Sequence, residues 1–143
     1  MVEEKAQEEK QRVIQQKYVE YQMMEQQIKQ LQQQFEKMEM QTKEVAAVEQ
    51  SLSDISKAKD GDELLVPVSG GVFFKASVKD CNNFLVNVGH NVVVEKDVES
   101  TIKLVQSQAI EISKYKEQVM NQLTITLEQF QAMENDLKKL IDE

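Results

Sequence analysis

Residues 63–78 read Glu63-Leu64-Leu65-Val66-Pro67-Val68, then Ser69-Gly70-Gly71, then Val72-Phe73-Phe74-Lys75-Ala76-Ser77-Val78. Two β-rich runs around a Gly-Gly turn predict a hairpin. Leu64, Val66 and Val68 are expected on one face, with Val72, Phe74, Ala76 and Val78 on one face of the partner strand. Lys79-Asp80-Cys81-Asn82-Asn83 then leads to a second pair: Phe84-Leu85-Val86-Asn87-Val88 turns at Gly89-His90-Asn91 into Val92-Val93-Val94-Glu95. All 4 glycines and the 1 proline of the chain fall inside this segment, from Gly61 to Gly89.

Outward from the hairpins, the hydrophobic period changes from two to alternating steps of three and four. On the N-terminal side the apolar seam reads Ile14, Lys17, Tyr21, Met24, Ile28, Leu31, Phe35, Met38, Thr42 and Val45, a heptad pattern sustained over several repeats. Val48, Leu52 and Ile55 follow with a shortened step, a stammer that overwinds the seam locally. On the C-terminal side, Val98, Ile102, Val105, Ala109, Ile112, Lys116, Val119, Leu123, Thr126, Phe130, Met133, Leu137 and Leu140 keep the alternation without a fault.

Asp97 is the expected N-cap of the second helix. Lys57-Ala58-Lys59-Asp60-Gly61 carries the C-terminal signal of the first. Two breaker-free arms joined by a compact insert predict an antiparallel coiled coil. With Ile55 near Val98, facing position numbers add to about 153, given the common rise of ~1.5 Å per residue. Ile14 then meets the region of Leu140, and Met24 that of Phe130. Residues before Lys10 have no partner and are expected to fray.

The fold class expected is α+β: a long antiparallel two-helix coiled coil with two β-hairpins inserted between the helices. Residues 1–59 form the N-terminal coil helix, 60–96 the two hairpins and 97–143 the C-terminal coil helix. So short a pair of hairpins cannot cover its own apolar faces and strand edges. The hairpins are therefore expected to form an inter-subunit β-barrel platform, which removes the edges. Leu64, Val66, Val68, Val72, Phe74, Val78, Phe84, Val86, Val88, Val92 and Val94 are the expected oligomerisation residues.

Composition narrows the function. Of 143 residues, 41% are hydrophobic and 6% aromatic, too little apolar material for a large globular core. The net charge of −8 argues against nucleic acid, which needs clustered Lys and Arg. The charged N-terminus is no signal peptide, and no apolar run reaches the length of a membrane span. With Cys81 the only cysteine, no internal disulfide forms, which fits a cytoplasmic setting. GxGxxG and GxxxxGK[ST] are both absent. His90 stands alone in a turn, Cys81 reads as a free linker thiol, and the carboxylates spread along solvated helix faces. No catalytic residue, metal ligand or cofactor is expected. Glu25 with Lys29 and Glu99 with Lys103 have the spacing of helical ion pairs.

From Leu64 through Lys96, the run Leu64-Leu65-Val66-Pro67-Val68, the turn Ser69-Gly70-Gly71, Val72-Phe73-Phe74-Lys75-Ala76, Phe84-Leu85-Val86-Asn87-Val88-Gly89 and Val92-Val93-Val94-Glu95-Lys96 resemble the alpha-type subunits of prefoldin, archaeal ones above all. The coil–hairpins–coil plan extends the resemblance over the whole chain. Two hairpins rather than one favour the alpha type over the beta type. His90 departs from the small residue usual after the glycine, which affects only the local turn. The resemblance implies a hetero-hexamer of two alpha-type and four beta-type subunits on a double β-barrel. It implies an ATP-independent chaperone that holds unfolded proteins at its coil tips and passes them to a group II chaperonin.

Tips that bind clients need apolar surface beyond the seam. The candidate client-binding residues are Val13, Ile14, Tyr18, Val19, Tyr21, Met24, Leu123, Ile125, Leu127, Phe130, Met133 and Leu137. The competing reading makes the seam members among them plain core; off-seam Val13, Val19, Ile125 and Leu127 are the stronger candidates. An acidic set at the end of the second arm, Glu134, Asp136, Asp142 and Glu143, is a candidate chaperonin contact. The alternative function is a structural scaffold or tether whose coils bridge fixed protein partners.

Overall fold

A computed structural model describes residues 1–142. The order of elements is helix α1 (Val2–Ser56), strands β1 (Glu63–Ser69), β2 (Val72–Ser77), β3 (Asn83–Asn87) and β4 (Val93–Asp97), and helix α2 (Val98–Asp142). The chain divides into two compact units. One comprises residues 1–40 with 113–143, and the other residues 41–112.

In the first unit α1 and α2 run antiparallel. The Tyr21 and Phe130 rings stack with centroids 4.5 Å apart, Lys17 Nζ lies 4.0 Å from Asp136, and Lys116 Nζ lies 3.7 Å from Glu39. These pairs keep the facing register that the seam spacing predicts. The Phe130 ring rests on Tyr21, the seam residue one step before Met24. Every predicted seam residue of α2 is buried or half-buried, and Ile28, Val119, Leu123 and Leu137 are the most enclosed apolar side chains here. Each such side chain contributes about 1.5–3 kcal/mol when fully withdrawn from water, so a seam one residue wide carries nearly all the burial.

Two polar seam residues are accommodated in different ways. Thr126 is only 2% exposed, and its hydroxyl donates to the Gln122 carbonyl at 2.8 Å, so no polar atom is stranded. Lys116 keeps its ammonium 5.2 Å above the Phe35 ring while reaching Glu39, a cation–π contact combined with an ion pair. The N-terminal overhang is helical from Val2 onward, and its residues before Lys10 are exposed.

In the second unit, Leu52 of α1 and Val105 of α2 are buried and line one small concavity with Ser53 and Ile102. Two positions depart from the expected pattern. Gln41 is half-buried, whereas Thr42 and Val48 are exposed. The successive short steps therefore run Phe35–Met38–Gln41, earlier than the apolar residues suggest. Both contenders are polar, so hydropathy carries no vote there.

Helix α1 ends where the Ala58 amide donates to Ile55 at 2.9 Å and the chain turns through Gly61, whose φ is 89°. Asp97 caps α2 by accepting from the Ser100 amide at 2.8 Å. The Ser100 hydroxyl and then that amide hold its carboxyl below the usual carboxylate range.

Each hairpin is a separate antiparallel two-stranded sheet. In the first, Leu64 pairs with Ala76 and Val66 with Phe74, as the alternation predicts. A bulge between Pro67 and Ser69 takes Val68 out of the ladder, because the left-handed Gly70 and Gly71 (φ 57° and 81°) close the turn one residue out of step. Val78 lies just past β2, where it exchanges backbone hydrogen bonds with Gly61 (2.7 Å) and Asp62 (2.9 Å). In the second hairpin, Val88 and Val92 belong to the connection rather than to the strands, with the Val88 amide on the Val92 carbonyl at 3.0 Å. His90 and Asn91 both adopt positive φ there, at 49° and 58°.

Candidate interaction surfaces

Two kinds of surface stand out, and neither resembles a catalytic centre. Among the described residues no group of three or more metal-ligating side chains occurs. No described helix is long and apolar enough to cross a membrane. The Cys81 thiol is pushed up by its hydrogen bond with Asp60 and then by burial, which keeps it protonated rather than nucleophilic. The Cys81 amide also donates to Asp60 Oδ1 at 2.9 Å, and Asp80 accepts from Asn82 and Asn83. These contacts tie the linkers to each other.

The first surface is the pair of hairpins. Of the residues named for oligomerisation, Leu64, Val68, Val72, Phe74, Val88, Val92 and Val94 are exposed, and Val66, Val78, Phe84 and Val86 half-buried. The opposite faces are at least as bare: Leu85 is 78% exposed and Leu65 63%, with Phe73 and Val93 also open. Those four were missed by a reading that assigned one apolar face to each strand. Their signal is the continuity of the runs Leu64–Val68, Val72–Phe74, Phe84–Val86 and Val92–Val94, since a strand covered on both faces reads as unbroken apolar sequence. Among the described residues, both outer edges of each sheet lack a strand partner.

The second surface lies on the arms. Val13, Tyr18, Val19, Ile125 and Leu127 are exposed; Ile14, Tyr21, Met24, Phe130 and Met133 are half-buried; Leu123 and Leu137 are buried. Tyr18, Tyr21 and Phe130 come together as a ring ladder, Tyr18 stacking on Tyr21 with centroids 6.4 Å apart. Burial in that stack, then Glu134, Glu25 and Tyr18, push the Tyr21 phenol up. The off-seam candidates do not converge. Helical spacing sends Val13 and Leu127 to opposite flanks of the coil and Val19 and Ile125 outward. Met23, Met120 and Ile141 add exposed apolar side chains. Of the acidic set, Asp136 is engaged with Lys17, Glu134 borders Tyr21, Asp142 is exposed, and Glu143 lies outside the described residues. Glu99 and Lys103 form their ion pair at 3.6 Å. Glu25 and Lys29 do not come within ion-pair reach.

The prefoldin subunit family model matches residues 24–143, both arms and both hairpins included. The chain belongs to the prefoldin family. Prefoldin is a chaperone family. Alpha-type prefoldin subunits are among the similar proteins: one from Thermofilum pendens is 35% identical over 95 residues, covering 66% of this chain and 74% of that one. Another, from Methanococcus aeolicus, is 26% identical over 128 residues, 90% of this chain and 87% of the relative. A third, from Methanococcus vannielii, is 29% identical over 63% of this chain and 62% of its own length. They support an alpha-type prefoldin subunit, in keeping with the two hairpins. The fold is shared with a chain in the structure of filamentous PFD from Methanocaldococcus jannaschii, at a TM-score of 0.69 and 14% identity over 85% of this chain and 98% of that one. Membership of this family supports an oligomeric prefoldin assembly.

Proposed function

We propose that this chain is the alpha-type subunit of a cytoplasmic, ATP-independent holdase. Its three segments divide the work: residues 60–96 assemble the oligomer, and residues 1–59 and 97–143 carry the binding surface. The hairpins join those of beta-type partners, two alpha-type and four beta-type chains together, in a shared β-barrel platform. The arms hold unfolded polypeptides and release them to a group II chaperonin, with the acidic end of α2 as the meeting surface.

The observation that supports this reading is the exposure of large apolar side chains on arms that already have a complete seam. Val13, Tyr18, Val19, Met23, Met120, Ile125 and Leu127 are not consumed by pairing α1 with α2. Tyr and Met are suited to partners of varied shape, because Met repacks readily and Tyr offers both ring and hydroxyl. Each arm binds weakly, and several arms on one platform raise the total through effective concentration.

The test replaces Val13, Val19, Ile125 and Leu127 with Ser and assays the assembled oligomer without nucleotide. The variant is expected to retain its helicity and to lose suppression of aggregation for several unrelated unfolded proteins. Unchanged suppression would remove the arms from the mechanism. Saturable binding to one folded partner, with no effect on aggregation, would favour a tether that bridges fixed partners.

A further inference from the structure

We propose that one flank of the coil, carrying Tyr18 and Glu25 of α1 and Met120, Leu127, Glu134 and Ile141 of α2, is a docking strip for cationic amphipathic segments, in which Lys or Arg alternates with apolar residues. This rests on the holdase reading and specifies the class of polypeptide that the strip selects.

The strip follows from the register. Met120, Leu127, Glu134 and Ile141 recur at heptad spacing, each immediately after a seam residue of α2 (Val119, Thr126, Met133, Leu140). Tyr18 and Glu25 hold the same relation to Lys17 and Met24 on α1. In an antiparallel pair these positions lie along a common flank. The ring ladder places the two helices' contributions together: Tyr18 stacks on Tyr21, and Tyr21 stacks on Phe130. The carboxylates of Glu134 and Glu25, one from each helix, both act on the Tyr21 phenol. Tyr18, Met120, Leu127 and Ile141 are all open to solvent, Tyr18 at 53%.

Charge decides what fits. No Lys or Arg occupies these heptad positions. Neither Glu25 nor Glu134 has an ion-pair partner among the described residues, although Lys29 stands four residues from Glu25 and Lys138 four from Glu134. On the opposite flank, by contrast, Asp136 is neutralised by Lys17. A neutral apolar segment laid on the strip would desolvate two carboxylates and bring them no cation of its own, and an acidic one would be repelled. A segment with interleaved cations places its charges on Glu25, Glu134 and the Tyr18 ring and its apolar residues on Met120, Leu127 and Ile141.

The experiment uses the full chain assembled with beta-type partners and three fluorescent peptides that share one set of apolar residues. The interleaved positions are Lys, Gln or Glu. The Lys peptide is expected to bind ~5-fold more tightly than the Gln peptide, the Glu peptide more weakly than either, and the spread is expected to shrink with added salt. Glu25→Gln with Glu134→Gln, in this chain only, is expected to reduce the preference for Lys, by weakening the Lys peptide and tightening the Gln peptide. Tyr18→Ser is expected to weaken all three, and Tyr18→Phe to restore them. Equal binding of the three peptides, or a preference for Lys undiminished in the double variant, overturns the strip while leaving the holdase intact. Absence of binding by all three, with no suppression of aggregation, overturns both.

Discussion

The hairpins and the arms both expose large apolar side chains, but they do so against different backgrounds. In the hairpins, Leu65, Phe73, Leu85 and Val93 lie bare on sheets whose other faces are also apolar and whose edges lack strand partners. Open backbone edges and two apolar faces call for one specific, permanent cover. On the arms, every backbone amide beyond the first turn can be satisfied inside its helix, and the exposed Tyr18, Met120 and Leu127 stand on helices that are otherwise largely polar outside the seam. Such a surface tolerates water without a permanent cover. The contrast between the two regions lies in backbone satisfaction rather than in hydrophobicity.

The largest effect that would break this comparison is expected from Phe73→Ser with Leu85→Ser. These changes leave both helices untouched and should abolish the higher-mass complex with beta-type subunits in native mass spectrometry. A complex of unaltered mass would show that the outer hairpin faces are not covered on assembly. Next in size, Leu123→Ala in the seam is expected to cost about 2–3 kcal/mol in denaturant unfolding, whereas exposed Leu127→Ala costs about 0.5 kcal/mol or less. Equal losses would erase the distinction between seam and flank.

A smaller effect, of opposite sign, is expected from Lys116→Met. It replaces a half-buried ammonium over Phe35 with an apolar side chain of similar length. Thermal unfolding should shift upward, by about 1 kcal/mol, because desolvating the ion offsets much of its attraction to Glu39. A lower melting temperature would mean that the cation–π contact and ion pair outweigh that cost.

The smallest effect concerns the junction of the two regions, where β4 ends in the cap of α2. The folded pKa of Asp97 is depressed, so its ionised cap stabilises the native state above the ordinary carboxylate range. That contribution is lost as pH falls through the folded value. Asp97→Asn retains a cap but cannot titrate. The stability gap between the two proteins is expected to be constant near neutrality and to narrow below about pH 4. A gap independent of pH down to strongly acidic solution would exclude an ionised cap.

Much of this was legible in the residues. The seam of α2 reads cleanly because the steps of three and four never break, and burial follows them at Val105, Val119, Leu123 and Leu137 and even at polar Thr126. The α1 seam reads well up to Met38 and then fails between Gln41 and Thr42, where neither candidate differs enough in hydropathy to reveal which faces inward. The Gly70-Gly71 turn announces the first hairpin, but not the bulge that displaces Val68. In the second hairpin, Gly89-His90-Asn91 marks a turn without showing that Val88 and Val92 belong to it. The exposed faces at Leu65 and Leu85 were present in the unbroken apolar runs, and alternation was the wrong template for them.

The sequence by itself determined the elements and their order. Helix and strand periods are local properties, and the breakers between Gly61 and Gly89 leave the arms no other way to end. It also determined the antiparallel pairing of the arms in the first unit, since the short insert brings Ile55 near Val98 and so selects one of the registers, a heptad apart, that the seams allow. Only the tertiary structure decided which exposed side chains act together. Tyr18, Tyr21 and Phe130 form one ladder although Phe130 belongs to the other helix. That grouping depends on how two helices rotate against each other, which no single helix encodes.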